Sequence, residues 1–385
     1  MTTPAASRST PRPALSAALD GCTVVIAVDR RSNELAAALE RHGAQVRRAP
    51  ALTIVPHTDD EALIARTREL IAHPPDVVVA TTGVGFRGWM EAADEAGLLD
   101  DLHAALDGAQ IVARGPKARG AIQQAGLAAD WVAESETSIE LGEYLLAEGV
   151  AGRRIAVQHH GSGADGLDEL FDGHGAEVVS LTVYRWGPPP DDAVVARSVT
   201  ATAAGEIDAV LFTSAPGAAE WLAAAAREGV LEEIVEHAAS GRVLMAAVGP
   251  ITASPLVAVG IEPLQAERGR LGSLVRSVVT HFGGGHAAAL DTAAGRLELR
   301  SSGAVLDGAR ITLSRTGTDV LAALFAAKGG VVSRARLQAA LPRSGENTHA
   351  VEMAVARVRE AFGVPDLIKT VVKRGYRLNV LDPDD

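Results

Sequence analysis

Two hydroxyl pairs, Thr81-Thr82 and Thr213-Ser214, stand 132 residues apart, each after a short apolar run and before a helical pattern. A helix that starts at such a pair offers free backbone N–H groups and the positive end of its dipole, which suit a carboxylate. Ser and Thr in that place also serve as plain N-caps, and both readings stand. Two further turns, Gly115-Pro116-Lys117 and Gly249-Pro250-Ile251-Thr252, open helices the same way. Tyr184, read from the sequence alone, is a strand tyrosine with its ring in the core. His159 and His160 are adjacent, so on an extended strand they face opposite ways and make a poor metal pair. We expect them to be exposed loop histidines. Gly83-x-Gly85 and Gly161-x-Gly163 lack the spacing and acidic partner of a dinucleotide fingerprint. A second set is basic: His349, Arg357, Arg359, Lys373 and Arg374, residue types that touch phosphate and guanine.

These residues need strands and helices to hold them. Residues 23–28 (TVVIAV) read as a strand, 34–42 as a helix with Leu35, Ala38 and Leu39 on one face, and Gly43 as its cap. The pattern returns later. His42-Gly43-Ala44 maps on His174-Gly175-Ala176, Pro56 on Pro188, Trp89 on Trp221 and Gly97 on Gly229, all at an offset of 132. Gly115-Pro116 maps on Gly249-Pro250, and Gly126 on Gly260, at 134. Matched glycines, prolines and tryptophans in one order mean that residues 20–150 and 151–283 are two copies of one α/β unit. Alternating strands and helices imply parallel sheets, with a ligand at the carboxyl ends of the strands between the copies.

This stretch resembles uroporphyrinogen-III synthase. The likeness rests on the strand ends at Thr81-Thr82 and Thr213-Ser214, the Gly249-Pro250-Ile251-Thr252 turn, and Val183-Tyr184-Arg185. It implies two α/β lobes joined by two strands, one lobe built from both ends of the segment. It also implies closure of hydroxymethylbilane with inversion of the last ring, without metal or organic cofactor. By the same resemblance Tyr184 would assist departure of the hydroxyl. Thr81, Thr82, Gly115, Lys117, Thr213, Ser214, Gly249 and Thr252 would line the cleft for an anionic ligand, a tetrapyrrole with eight carboxylates. The chain departs from the family at Ala118, where Thr is usual, and at His159-His160-Gly161, where Arg-Gly is more common.

Residues after Gly283-Gly284-Gly285 read differently. Short strands flank Ser301-Ser302-Gly303 and Asp307-Gly308, then come helices over residues 318–328, 334–341 and 348–362, and a hairpin around Lys373-Arg374-Gly375. Leu313-Ser314, Val331-Val332-Ser333-Arg334, Arg357-Val358-Arg359 and Gly375-Tyr376-Arg377-Leu378 resemble the OmpR/PhoB-type effector domain, a winged helix–turn–helix. That resemblance implies double-stranded DNA as a partner, with the third helix in the major groove and the wing on phosphate or the minor groove. Several alanines on that helix imply few polar contacts and binding as a dimer or in tandem. Where the family wing usually has Gly-x-Gly-Tyr, this chain has Lys373-Arg374-Gly375-Tyr376.

Composition agrees. The 385 residues carry a net charge of −12, yet residues 286–385 are net +3 and residues 1–285 net −15. Such asymmetry points to different partners for the two parts. A single cysteine, Cys22, excludes a disulfide framework and Cys-based metal clusters and suits a reducing cytoplasm. No apolar run is long enough for a membrane helix. Residues 1–19 read as a disordered tail, with a transit peptide as the alternative, 284–295 as a linker, and 296–381 as the winged helix. The joint arrangement resembles HemD-like transcriptional regulators of high-GC actinobacteria, which implies control of nitrate/nitrite assimilation or tetrapyrrole metabolism by a sensing domain. The alternatives are a working synthase with an attached DNA-binding domain, and a scaffold.

Overall fold

The computed structural model describes residues 17–29, 31–56, 61–159, 165–341 and 349–381. The chain forms two compact units, one from Met1–Leu52 with Pro189–Asp385, the other from Thr53–Pro188. The first unit opens with β1 (Thr23–Ile26), α1 (Ser32–Glu40) and β2 (Gln45–Arg48). The chain then builds the second unit. Its elements are β3 (Thr53–Pro56), α2 (Glu61–Ala72), β4 (Val77–Ala80), α3 (Gly83–Glu95), α4 (Leu99–Leu106), β5 (Gln110–Ala113) and α5 (Pro116–Gln124). They continue with β6 (Trp131–Val132), α6 (Ser138–Glu148), β7 (Arg154–His159), α7 (Leu167–Asp172), β8 (Glu177–Thr182) and β9 (Tyr184–Gly187). The first unit resumes with α8 (Asp192–Ala203), β10 (Ala209–Phe212), α9 (Ala215–Arg227), α10 (Leu231–Ala239), β11 (Leu244–Ala247), α11 (Pro250–Ala258), β12 (Leu264–Gln265) and α12 (Leu271–Gly283).

Each unit has one five-stranded, wholly parallel sheet, ordered β12-β11-β10-β1-β2 in the first and β6-β5-β4-β7-β8 in the second. The α/β fold class is the one expected. The central strands are short, apolar and buried on both faces, as strands covered by helices on each side must be (TVVI, VVVA, AVLF). The two copies interleave: β1 pairs with β10, and β7 with β4, so each sheet takes strands from both halves of the repeat. A two-stranded antiparallel ladder, β3 with β9, stands where the chain enters and leaves the second unit.

The duplication extends to the cores. Trp89 and Trp221 are fully buried, and each indole N–H donates to a hydroxyl on the preceding helix, Thr67 at 3.0 Å and Ser198 at 2.9 Å. A buried indole needs such a partner, and both copies supply one from the same place.

The rest of the first unit is a small α+β module. It comprises β13 (Ala289–Thr292), β14 (Gly295–Arg300), β15 (Gly303–Leu306), β16 (Ala309–Thr312), α13 (Arg315–Ala326), α14 (Arg334–Ala339), α15 (His349–Phe362), β17 (Ile368–Val371) and β18 (Gly375–Leu378). Strands β13 to β16 form an antiparallel sheet, and β17 pairs with β18. Val320, Leu321 and Leu324 of α13 meet Val351, Val355 and Val358 of α15 in its core. Residues 284–295, expected as linker, include the strand β13, because Leu290 and Ala289 pair across to Leu297 and Glu298. Of the expected N-terminal tail, residues 1–16 lie outside the described residues, whereas Leu19 is fully buried among the side chains of α1 and α12. Among the described residues no helix is long and apolar enough to cross a membrane.

Candidate functional site

In the first unit the strands run in the spatial order 2-1-3-4-5, so the order reverses between β1 and β10. Ligands of open parallel sheets sit at the carboxyl ends of the strands beside that reversal. Thr213 and Ser214 follow β10 there, half-buried, and Ser214 Oγ accepts the Gly217 N–H at 3.3 Å as the N-cap of α9. Gly249 precedes Pro250 at the start of α11, and Thr252 is buried one turn in. The N-termini of α9 and α11 therefore open at the same end of this sheet.

The second unit repeats the arrangement. Thr82 caps α3, its Oγ1 accepting the Gly85 N–H at 3.0 Å. Thr81 is buried, and its hydroxyl donates to the Gln158 carbonyl at 2.7 Å, so it ties β4 to β7 rather than facing outward. Gly115 starts α5 and Lys117 is exposed in its first turn. Thr82, Gly115 and Lys117 are thus presented at one end of the sheet, and Thr81 is not. Tyr184 is 5% exposed, with its ring against Trp186 in the core at 5.8 Å between centroids, which is the structural alternative raised for it above.

His159 corrects an expectation. It is not an exposed loop residue; it ends β7 and is 1% exposed, with Nε2 2.9 Å from Asp168 Oδ1 and Nδ1 3.3 Å from Asp165 Oδ1. Burial alone would lower its pKa, but hydrogen bonds to Asp165 and Asp168 and their charges overcome that and push it up to about 9. It is therefore an imidazolium at neutral pH. Its acids come from the segment after the loop, which adjacency in sequence did not reveal. His160 and Gly161 lie outside the described residues. Arg114 was also missed, although it directly precedes Gly115. It is half-buried at the end of β5, where burial pulls its guanidinium below the ordinary range against the charges of Tyr184, Asp165 and Glu136. Two cationic groups, His159 at the end of β7 and Arg114 just after β5, thus lie at the carboxyl end of this sheet.

In the C-terminal module, α15 buries Val351, Ala354, Val355, Val358 and Phe362. The opposite face is a continuous stripe of His349, Glu352, Met353, Ala356, Arg357 and Glu360, all exposed. His349 and Arg334 flank Glu352 at 3.4 Å each. Met353 is 54% exposed, a large apolar side chain in the middle of that stripe. Arg359 turns away from it. Its guanidinium donates to the Ile368 carbonyl at 2.6 Å and to Thr370 Oγ1 at 2.9 Å and lies near the Tyr376 ring, so it fastens the hairpin to the helix instead of reaching outward. Lys373 and Arg374 are exposed at the hairpin tip. Lys373 adopts φ 59°, the left-handed region where the usual glycine would sit without strain. Gly375 cannot be replaced: φ is 138°, and a Cβ there would lie 2.0 Å from the Val332 carbonyl oxygen.

A duplicated parallel α/β protein with helix N-termini at both sheet ends, continued by a three-helix module with a basic-tipped hairpin, defines a synthase-like domain joined to a winged helix. Comparison with known proteins makes this specific. Residues 33–276 match the family of uroporphyrinogen-III synthase HemD, and residues 308–378 match the C-terminal domain of transcriptional regulatory proteins. The chain belongs to the uroporphyrinogen-III synthase HemD family. A crystal structure of a mutant uroporphyrinogen III synthase from the extremely thermophilic bacterium Thermus thermophilus is 30% identical, with a TM-score of 0.55, covering 67% of this chain and 97% of that one. An uncharacterized protein, YjjA, of Bacillus subtilis (strain 168) is 27% identical over 263 residues, 68% of this chain and 96% of its own. A putative uroporphyrinogen-III synthase of Methanothermobacter thermautotrophicus is 30% identical over 171 residues, 44% of this chain and 65% of its own.

Proposed function

We propose that this chain is a DNA-binding transcriptional regulator whose synthase-like domain senses an anionic small molecule, a tetrapyrrole or a close relative, and that it controls tetrapyrrole metabolism or nitrate/nitrite assimilation. The observation that carries this reading is the joining, on one chain, of two structurally repeated sets of helix N-termini with a module whose helix stripe is exposed and carries Arg357 and whose wing tip is exposed and basic. Carboxylates suit the ends of α3, α5, α9 and α11, where free N–H groups and dipole ends gather. On the DNA side Arg357 reads a guanine, Met353 and Ala356 contact thymine methyl groups, and Lys373 and Arg374 hold phosphate, with the module binding as a dimer or in tandem.

A second reading, an active synthase with a regulatory domain, is favoured by the presence of Tyr184 and Thr252 at the family's positions. It is weakened by the burial of the Tyr184 ring and by Ala118 in place of the usual Thr. Incubation with freshly made hydroxymethylbilane separates the two. Isomer I alone, the product of spontaneous closure, is expected. Isomer III formed in proportion to protein, and slowed in Tyr184→Phe, would establish the synthase instead.

A further inference from the structure

Asp76 and Asp208 are equivalent in the repeat, 132 residues apart, each just before the central strand of its sheet. Each carboxylate accepts the backbone N–H that opens the neighbouring strand: Arg154 to Asp76 at 2.7 Å, and Thr23 to Asp208 at 2.7 Å. From there they differ. Asp76 is exposed, whereas the Asp208 side chain is 1% exposed. The cover over Asp208 is the turn between β14 and β15. The Ser301 N–H donates to both carboxylate oxygens at 2.9 and 3.1 Å, and Arg242 adds a charged donor at 3.0 Å. Ser301 Oγ reaches Thr23 Oγ1 at 2.8 Å, and Ser302 Oγ donates to the Gly21 carbonyl at 3.0 Å.

The contact is continuous around this centre. Gly21, at φ 80°, turns the backbone beside Arg310, Ser302 and Arg300, in a conformation that glycine adopts without strain. Arg300 is buried, donates to the Phe282 carbonyl at 3.2 Å and lies over the Phe282 ring. At the periphery Arg310 pairs with Asp20, and Arg315 at the start of α13 pairs with Glu206. A buried carboxylate is unfavourable unless donors saturate it, and here they come from the sheet, from Arg242 and from the module. The helix stripe of α15 and the hairpin tip stay exposed and take no part.

We propose that the amino-terminal edge of the first unit's parallel sheet is a docking surface for the module's Ser301-Ser302 turn, centred on Asp208. The DNA-binding module and this sheet therefore travel as one body, and they do so equally when DNA is bound. This second statement rests on the DNA-binding reading above; the docking itself does not. One copy of the repeat has taken on a new partner at a position that its twin leaves in water.

Amide hydrogen exchange on the full chain tests it, with Asp208→Asn and Ser301→Ala as variants. Because Asp208 also anchors β1, its replacement can loosen the sheet itself; Ser301→Ala leaves the carboxylate in place and removes only the hydroxyl's bonds to Thr23 and Gly21, so it remains informative if Asp208→Asn does not fold. The expected result is several-fold faster exchange over residues 21–24 in both variants and over 300–303 in Asp208→Asn, with residues 209–212 and 244–247 unchanged in Ser301→Ala. Random-sequence duplex DNA at low salt should leave the protection of 300–303 in place. Ser301→Ala keeps the Ser301 N–H on Asp208, so it is read at residues 21–24; unchanged exchange there in Ser301→Ala, or over 300–303 in Asp208→Asn, would overturn the docking surface. Loss of the 300–303 protection on adding DNA would overturn the single-body claim and show a contact that DNA binding must break.

Discussion

Arg357 and Arg359 are two residues apart on one helix, yet they do different work. Arg357 lies on the exposed stripe, and Arg359 holds Ile368 and Thr370 of the hairpin. Arg357→Ala should weaken specific DNA binding by about 1–3 kcal/mol and leave the melting temperature unchanged. Arg359→Ala should lower the melting temperature by removing a charge-assisted contact worth about 1–3 kcal/mol. Fluorescence anisotropy with a selected duplex and thermal melts of the same samples check both. His159 makes a pH prediction. Its folded pKa is raised from 6.5 to about 9, so the proton it holds in the folded state stabilises the protein fully below pH 6.5. That stabilisation is lost as pH rises through 9. His159→Gln should therefore lower the melting temperature strongly at pH 6 and much less at pH 10; an equal loss at both would mean that the imidazole is neutral. Neither the pairing of His159 nor the turning of Arg359 was legible in the sequence. Each depends on partners delivered by a later strand or turn, which local spacing does not encode.

At the scale of elements, the helix starts were readable because their chemistry is local. Thr82 and Ser214 cap α3 and α9 by accepting an N–H three residues on, as their type and place imply. Thr82→Ala and Ser214→Ala should each cost about 1 kcal/mol of stability, measured by denaturant unfolding. If the pairs also hold an anion, the same variants should weaken tetrapyrrole binding beyond what the stability loss explains. The wing is the other local element whose rule is visible, by its breach. Lys373 occupies a left-handed position without glycine, at a cost of order 1 kcal/mol. Lys373→Gly should raise stability by about that amount while lowering the salt slope of DNA binding by about one. A fall in stability would mean that the lysine side chain supports the turn. Residues 289–292, within the segment read as a linker, form the four-residue strand β13, which only its pairing with β14 marks as a strand.

At the scale of the molecule, the repeat was legible from matched glycines, prolines and tryptophans, and the family followed from it. The sorting of strands was implied by the resemblance alone. No local pattern says that β1 pairs with β10, 185 residues on, or that Asp208 meets Ser301. The duplication also explains how a regulator is built on this fold. The carboxyl ends of both sheets keep the helix N-termini, and the amino edge of one sheet is given to the DNA-binding module. The central claim is that occupancy at the first kind of end alters what the module does. The most direct test is the dissociation constant of the full chain for a duplex selected from a random pool, measured anaerobically with and without uroporphyrinogen III. The account expects a change of at least about fivefold, the size of an ordinary allosteric coupling. An unchanged constant at saturating tetrapyrrole, with isomer III accumulating from hydroxymethylbilane, would contradict it and leave an enzyme with an uncoupled DNA-binding domain.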